Sequence, residues 1–382
     1  MMQPTRVLPE GERIDWLRLI RSENVGPVTF HKLIERYGTA AAALDALPGL
    51  ARRGGRASLR IASRSEAERE LAAAARIGAV ALASCEPAFP RPLAAIEDCP
   101  PLIFVRGDAA LLGRPSVAVV GARNASANGR RFAEALARDL GRAGWVVVSG
   151  LARGIDASAH LGAIETGTVA VLAGGPDSIY PEENRALQAR IAEAGALVAE
   201  MPVGLSPQAR HFPRRNRIVS GLSRGIAVVE ATPGSGSLIT ARLALDQGRE
   251  VFAVPGSPLD PRARGTNDLI RQGATLTEGA DDVLRVLEAQ GGLAEPGPAE
   301  FAAGTQGRGR QGSPGGDPER EAGSRRAAFL ELLGPSPVPV DELVRGCQLS
   351  PPAAQILLLE LEIAGHIQRL PGNRVVLIRP IP

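Results

Sequence analysis

The sequence predicts an α/β fold, with a parallel sheet covered by helices on both faces, a small N-terminal helical domain and a C-terminal winged-helix-like domain. Short apolar runs alternate with amphipathic segments over residues 77–288. These runs are rich in alanine and valine, which is typical of parallel strands buried on both faces. Residues 289–324 are rich in glycine and proline without a hydrophobic period, which predicts a flexible linker.

The composition is that of a globular protein. The chain has 382 residues, 44% of them hydrophobic and 22% charged, which is enough for two or three domains. No apolar run reaches the length of a membrane span, and the polar start of the chain does not resemble a signal peptide. Cys85, Cys99 and Cys347 lie far apart without metal spacing. We therefore expect reduced thiols in a cytoplasmic protein that binds neither metal nor membrane.

Residues 1–76 form the predicted helical domain. Its helical patterns cover residues 13–76, with one helix ending near LPGL and a basic loop after it. Between two of the helices the turn Val25–Pro27 reads V-G-P, as in helix-hairpin-helix or sterile-alpha-motif-like modules. Such a turn can present backbone N–H groups to a DNA phosphate. A small helical bundle with a glycine turn explains the same pattern, and we favour that interpretation.

Eight apolar runs predict the strands of the central domain, residues 77–288. They are AVALAS (79–84), LIFV (102–105), VAVV (117–120), WVVV (145–148), TVAVLA (168–173), ALVAE (196–200), IAVVE (226–230) and EVFAVP (250–255). Helical segments separate most of them, so the strands should pair in parallel and their carboxyl ends should meet at one edge of the sheet.

Residues 325–382 give three helical patterns and a terminal hairpin, the order of a winged helix. A winged helix that reads DNA inserts its third helix into the major groove and needs basic or amide side chains there. Here the third helix follows a predicted N-cap at Ser350 and offers only Gln355 against Glu360 and Glu362. We expect it to contact protein or to pack within the chain.

Four glycine-containing turns follow predicted strands of the central domain. They are GARNASANG (121–129), SGLARGID (149–156), AGGPD (173–177) and ATPGSGSLIT (231–240). Ligands of open α/β sheets bind at the carboxyl edge, and a helix that begins after such a turn favours an anion. With Arg123 and Arg153 nearby, the four turns predict phosphate recognition.

A basic stretch adds to this prediction. Between Arg210 and Arg217 the chain holds four arginines and a histidine without an acid, beside Phe212 and Asn216. Strong hydrophobic runs lie on both sides of residues 205–224, which predicts that this stretch is a basic loop between two elements of the sheet. Guanidinium groups suit phosphates, and a base stacked on Phe212 would contribute about 1–3 kcal/mol. Net charge is only +3, so the clustering, not the global charge, indicates nucleic acid.

Two enzyme classes fit the sequence less well. A dinucleotide enzyme would need G-x-G-x-x-G where the chain has G-A-R-N-A-S, and an acid near Ser149. A hydrolase could use Ser149, Asp156 and His160, but the nucleophile elbow G-x-S-x-G is missing. We expect Asp156 to cap a helix, and Glu230 to order a loop and pair with a nearby arginine.

The motifs as a series resemble those of the DprA (DNA-processing protein A, Smf) family. The resemblance covers residues 88–275 densely and in order, and its motifs are VAVVGARNAS, VVSGLARGIDASAH, TVAVLAGGPDSIYPEENRAL, HFPRRNRIVSGLS, VVEATPGSGSLITARLALDQGREVFAVPG and RGTNDLIRQGA. It implies an extended Rossmann-like domain that serves as a DNA platform, without a nucleotide cofactor or catalytic residues. It also implies a cytoplasmic homodimer that binds single-stranded DNA, protects incoming strands in natural transformation and loads RecA. A single-strand-binding protein is a further candidate partner.

The resemblance assigns DNA contacts by position. The DNA-binding set is Gly121, Arg123, Ser126, Ser149, Gly150, Arg153, Gly154, Gly174, Gly175, Phe212, Arg215, Asn216 and Arg217. Within the basic stretch we favour Phe212, Arg215 and Arg217. The family commonly has a hydroxyl residue at the position of Ala122 and lysines around its groove where this chain has arginines.

Two other functions compete with DNA binding. One is a nucleotide-processing enzyme of the lysine-decarboxylase-like phosphoribohydrolase type, which has a PGG-type loop. PGSGS at 233–237 matches that loop in part, but LIT stands where the enzyme has a glutamate. The other is a scaffold that acts through the terminal domains.

Overall fold

The computed structural model describes residues 6–291, 329–347, 349–370 and 372–379. The chain divides into two compact units, residues 1–14 with 65–294 and residues 15–64 with 295–382. The first four helices are α1 (Glu10–Arg21), α2 (Pro27–Tyr37), α3 (Ala40–Arg53) and α4 (Arg64–Arg76). Within the described ranges, no helix combines the length and hydropathy needed to cross a bilayer.

A nine-stranded sheet is the centre of the first unit. In chain order the strands are β1 (Ala79–Ala83), β2 (Leu102–Gly107), β3 (Ser116–Val120), β4 (Val146–Ser149), β5 (Thr168–Leu172), β6 (Ala196–Ala199), β7 (Gly225–Val228), β8 (Glu250–Ala253) and β9 (Thr275–Leu276). Their order in the sheet is β1-β2-β6-β5-β4-β3-β7-β8-β9. All pairs from β6 to β9 are parallel, whereas β2 is antiparallel to both β1 and β6. The eight predicted strands are confirmed; β9 and the antiparallel edge were not predicted.

Helices cover both faces of the sheet, as predicted. They are α5 (Arg91–Ala94), α6 (Ala127–Arg142), α7 (Ile155–Ala163), α8 (Arg185–Ala194), α9 (His211–Leu222), α10 (Gly236–Asp246), α11 (Arg264–Arg271) and α12 (Ala280–Gly291). Side chains alternate along each strand. Val117 and Val119 therefore pack in one core with α6, α7 and α12. Ala118 and Val120 pack in the opposite core with α5, α9, α10 and α11.

In the second unit, the helical segment packs against the winged-helix elements. These elements are β10 (Val338–Pro339), α13 (Val340–Gly346), α14 (Pro351–Ala364), β11 (Ile367–Leu370) and β12 (Arg374–Leu377). Arg53 Nε lies 2.5 Å from Glu360 Oε1, and Lys32 Nζ donates to Gln355 Oε1 at 3.0 Å. Gly54 permits the approach, since a Cβ there would lie 2.3 Å from the Glu360 carbonyl oxygen. The packing that we expected for α14 is therefore present, and its predicted cap at Ser350 is confirmed by a bond from Ala353 N at 3.4 Å.

Two predicted boundaries were wrong. Residues 211–222 are helical and not a loop, because Ile218, Val219 and Leu222 pack one side of this segment into the core. Helix α3 continues through Pro48 to Arg53, which buries Leu50. The predicted linker, 289–324, lies outside the described residues except for its first three positions, which belong to α12.

Candidate nucleic-acid interface

Four turns meet at the carboxyl edge of the sheet. They follow β3, β4, β5 and β7, and those strands are neighbours in parallel register. The prediction that the glycine turns share one edge is therefore confirmed. The helices after the turns begin at this edge, so their free N–H groups point toward the same side of the molecule.

The turns after β3 and β4 interlock. Gly154 has φ +79, and a Cβ there would lie 2.3 Å from the Ala122 carbonyl oxygen and 2.6 Å from that of Arg123. Ile155 N also donates to the Ala122 carbonyl at 3.2 Å. Leu151 adopts φ +55, a left-handed conformation that is uncommon for a residue with a side chain. The close approach fixes the positions of two exposed arginines, Arg123 and Arg153.

Gly154→Ala should therefore disturb both turns at once. We expect a loss of about 1–3 kcal/mol in the free energy of unfolding, from the left-handed φ and the backbone clash together. Gly144→Ala is the matched control, since Gly144 has φ +90 but no atom within 4 Å of the added Cβ. Urea midpoints of the two variants measure the difference. Equal shifts would show that the interlock contributes nothing.

Asp156 orders the turn after β4. Its Oδ2 accepts hydrogen bonds from Gly150 N at 3.2 Å and Ala152 N at 3.3 Å. Burial raises the pKa of this carboxyl group, and the nearby guanidinium of Arg215 acts in the opposite direction. Our expectation that Asp156 caps α7 is wrong, because the N-cap of this helix is Gly154.

Arg215 and Arg217 do not face solvent in this structure, although we predicted both as DNA contacts. They are 7% and 6% exposed. Arg215 lies beneath Gly150 and donates from Nη1 to the Val171 carbonyl at 3.3 Å. Arg217 pairs with Glu200 at 2.6 Å and with Asp98 at 3.3 Å. Arg215 and Arg217 lie about 200° apart around α9, so other parts of the chain cover both sides of this helix at that level, whereas Arg214 is exposed.

The two predicted serines also have internal partners. Ser126 Oγ donates to Glu230 Oε1 at 2.5 Å, and Ser126 N donates to Glu230 Oε2 at 2.9 Å. Glu230 thus orders a loop as expected, but its hydrogen-bond partner is Ser126 and not an arginine. Ser149 is fully buried, and its Oγ donates to the Val119 carbonyl at 2.7 Å. Both hydroxyl groups therefore hydrogen-bond within the chain.

Gly174 and Gly175, also predicted to contact DNA, have internal packing contacts. Both residues are buried. Gly175 N already donates to the Leu205 carbonyl at 2.9 Å. A Cβ on Gly175 would lie 2.2 Å from the Pro202 carbonyl oxygen, so this glycine serves close packing of two backbone segments.

An aromatic cluster lies at the carboxyl edge of the sheet. Phe212 is half-buried, and its ring centroid lies 5.3 Å from that of Tyr180. The guanidinium carbon of Arg123 lies 5.3 Å from the centre of the Phe212 ring. Tyr180 is 44% exposed. We call Arg123, Phe212 and Tyr180 the stacking cluster, since aromatic rings and guanidinium planes both stack on unpaired bases.

Sequence reasoning missed Tyr180. Only 3% of the residues are aromatic, so an exposed tyrosine just beyond the turn after β5 was a usable signal. Asn216, which was predicted, is half-buried and its Nδ2 donates to the Gly236 carbonyl at 3.4 Å.

A basic cavity adjoins the stacking cluster. Its volume is about 540 Å³, and Arg123, Arg130 and Arg153 line it. Arg153 lies 3.5 Å from Glu183, but both side chains are 61% exposed, and such exposed ion pairs contribute little and exchange readily. With Arg210 and Arg214 also exposed on the neighbouring segment, the edge offers several guanidinium groups to an anionic polymer.

Ser149, Asp156 and His160 do not form a triad. His160 is fully buried, and its Nδ1 lies 2.7 Å from Thr168 Oγ1. Thr168 Oγ1 itself donates to the Val147 carbonyl, so His160 Nδ1–H is the donor to Thr168. Burial lowers the pKa of His160 to about 3, which keeps the ring neutral.

His160 should make stability depend on pH. The unfolded chain binds a proton below about pH 6.5, and the folded chain does so only near a pKa of about 3. The free energy of unfolding should therefore fall as pH decreases through this window, by up to about 1.4 kcal/mol per pH unit. The raised pKa of Asp156 acts in the opposite direction. Urea midpoints across the window should fall less steeply for His160→Gln; parallel curves would contradict the prediction.

The fold and the edge define a class: a parallel-sheet protein that presents arginines and two aromatic rings in contact. Such a surface suits a phosphate polymer with unpaired bases. Residues 81–288 match the family described as DNA recombination-mediator protein A. Residues 10–73 match a DprA-like N-terminal HHH domain, and residues 313–373 match a DprA winged helix domain. The chain belongs to the DprA (Smf) family of DNA recombination-mediator proteins. The match at the N-terminus supports the helix-hairpin-helix interpretation over the simple bundle that we favoured.

Individual relatives agree with this assignment. The chain is 46% identical to DNA processing protein DprA of Bacillus subtilis over 202 residues, which are 52% of this chain and 68% of that protein. It resembles the X-ray structure of DprA from Streptococcus pneumoniae with a TM-score of 0.60 and 33% identity, over 73% of this chain and 98% of the other. A DprA structure from Helicobacter pylori, described by its single-stranded DNA binding mode, gives a TM-score of 0.51 and 30% identity over 56% and 96%.

Proposed function

We propose that the chain binds single-stranded DNA along the carboxyl edge of its sheet and has no catalytic role. The observation that carries this proposal is the stacking cluster, in which Arg123 and Tyr180 each lie 5.3 Å from the centre of the Phe212 ring. The single-stranded DNA binding of the Helicobacter pylori relative supports it.

The proposed interface binds the strand through two kinds of contact, one to phosphates and one to bases. Exposed guanidinium groups of Arg123, Arg153, Arg210 and Arg214 hold phosphates, helped by N–H groups at the starts of the helices. Phe212 and Tyr180 accept the faces of unpaired bases. A duplex keeps its bases stacked and paired, so it can use only the phosphate contacts and should bind more weakly.

Equilibrium binding at several salt concentrations tests the proposal. Log affinity for oligo-dT should fall with log salt at a slope of about −0.7 per phosphate contacted. A duplex of the same length should bind more weakly at each salt concentration. Equal affinity for the two forms would overturn the proposal. Release of base from a nucleoside monophosphate would instead favour the phosphoribohydrolase type of enzyme.

We further propose the cellular role that the family resemblance implies. A cytoplasmic homodimer would protect incoming single strands during natural transformation and load RecA onto them, also where a single-strand-binding protein covers the strand. Nuclease digestion of coated oligonucleotides tests protection, and RecA filament formation on strands covered by that protein tests loading. Sedimentation tests the dimer. Failure of RecA loading with intact DNA binding would remove the mediator role alone.

A further inference from the structure

A second basic cavity opens on the same edge of the sheet, beside the loops that follow β7 and β8. Its volume is about 550 Å³. Three arginines line it together with apolar side chains: Arg242, Arg264, Arg271, Pro233, Leu238 and Pro258. We call it the β7–β8 cavity. None of these residues belongs to the DNA-binding set predicted from the sequence.

Backbone contacts hold the walls of this cavity in place. Gly265 N donates to the Ala231 carbonyl at 2.8 Å, and a Cβ on Gly265 would lie 2.6 Å from that oxygen. Asn267 clamps the next loop, since its Oδ1 accepts from Gly256 N at 3.1 Å and its Nδ2 donates to the Gly256 carbonyl at 2.9 Å. The cavity is therefore preformed, which lowers the entropy cost of binding a ligand.

The cavity is positively charged. Arg242 and Arg264 are exposed, and in the part of the chain that the structure describes neither has a carboxylate within salt-bridge distance. Arg271 lies 3.0 Å from Asp268, whose carboxylate also lines the cavity. Both members of this pair are more than half exposed, so the pair is weak and a stronger anion can compete for Arg271.

The sheet order makes this cavity a continuation of the interface already described. β4, β3, β7 and β8 are consecutive neighbours. With about 4.8 Å between neighbouring strands, the ends of β4 and β8 lie roughly 15 Å apart. Glu230 connects the two regions, because it bonds Ser126 after β3 and immediately precedes the loop of Pro233.

We propose that the β7–β8 cavity binds phosphate groups of the same single strand, beyond the segment that the stacking cluster holds; this rests on the proposed function. The planar guanidinium group of an arginine can donate two parallel hydrogen bonds to phosphate oxygens. The prolines and Leu238 offer apolar surface to sugars or bases. An acidic peptide would also satisfy the charge. Continuity with the stacking cluster along one edge favours the nucleic acid.

Arg242→Gln with Arg264→Gln in the full chain tests the proposal. The matched control is Arg138→Gln with Arg190→Gln, which removes the same charge from exposed positions of α6 and α8 that line neither cavity. Affinity is measured for a short oligo-dT, which fills only the stacking cluster, and for a long one, each at several salt concentrations. Two lost contacts should make the salt slope for the long strand shallower by about 1.4.

This difference in slope can be checked by raising the salt concentration fourfold. The affinity of the parent for the long strand should then fall by a factor about sevenfold larger than the factor by which the affinity of the variant falls. The short strand should bind parent and variant alike. A long-strand slope equal to that of the control overturns the proposal, as does an equal effect on both strand lengths. Loss of polyglutamate binding with an unchanged oligo-dT profile would assign the cavity to an acidic peptide. A parent that binds neither strand would refute the proposed function itself.

Discussion

Replacing Arg217 by alanine is expected to lower the free energy of unfolding by about 3–5 kcal/mol, because it removes the guanidinium group that pairs with the buried carboxylate of Glu200. Arg217 and Glu200 are 6% and 8% exposed, and Arg217 Nη2 lies 2.6 Å from Glu200 Oε1. Asp98 adds a second carboxylate at 3.3 Å. Glu200 follows β6 directly, so the pair joins α9 to the sheet near the candidate interface.

Arg214→Ala is the matched control, since Arg214 is exposed on the same helix. Its urea midpoint should shift by no more than the equivalent of about 0.5 kcal/mol. Arg217→Met combined with Glu200→Leu should recover most of the lost stability, because it removes both charges of the pair. An Arg217→Ala protein with the parent's urea midpoint but weakened oligo-dT binding would return Arg217 to the DNA surface.

Replacing Phe212 by alanine is expected to weaken binding of oligo-dT by about 5- to 150-fold, the equivalent of about 1–3 kcal/mol for one stacked base. The half-buried ring packs against Tyr180 and beneath Arg123. This loss of affinity should occur only when the bound strand carries bases. An abasic strand of equal length should therefore bind the Phe212→Ala protein and the parent equally well, and the salt slope should not change.

Arg123→Ala gives the complementary pattern. It removes a phosphate contact, so both oligo-dT and the abasic strand should bind more weakly, and the salt slope should become shallower by about 0.7. Measuring both variants on both strands separates stacking from charge. A Phe212→Ala protein that loses affinity equally for the abasic strand would show that the ring supports the fold of the edge and does not stack on a base.

The sheet could be predicted from sequence because local patterns determine it. Each apolar run is short, and each of the four glycine turns directly follows a strand, so the parallel order alone places them together. Neither the two-residue strand β9 nor the reversed direction of β2 carries such a pattern. Both depend on which strand lies beside them in the folded chain.

The candidate site was predicted less well, because the direction of a side chain depends on contacts with residues that are distant in the sequence. Counting charges between Arg210 and Arg217 gave every arginine equal weight, whereas contacts with distant parts of the chain bury Arg215 beneath Gly150 and Arg217 against Glu200. The apolar spacing of Ile218 and Leu222 was a helical signal within the stretch that we interpreted as a loop. The partner of Glu230 lies 104 residues away at Ser126, and one sequence contains no signal for such a contact.

Photocrosslinking tests the central claim most directly, because it reports which side chains touch a base. Oligo-dT carrying iododeoxyuridine is bound to the full chain and irradiated, and mass spectrometry then identifies the crosslinked peptides. The stacking cluster predicts crosslinks at Phe212 and Tyr180, and their loss when excess unlabelled single strand competes. Crosslinks confined to the winged-helix elements within residues 329–379, with none at Phe212 or Tyr180, would contradict it.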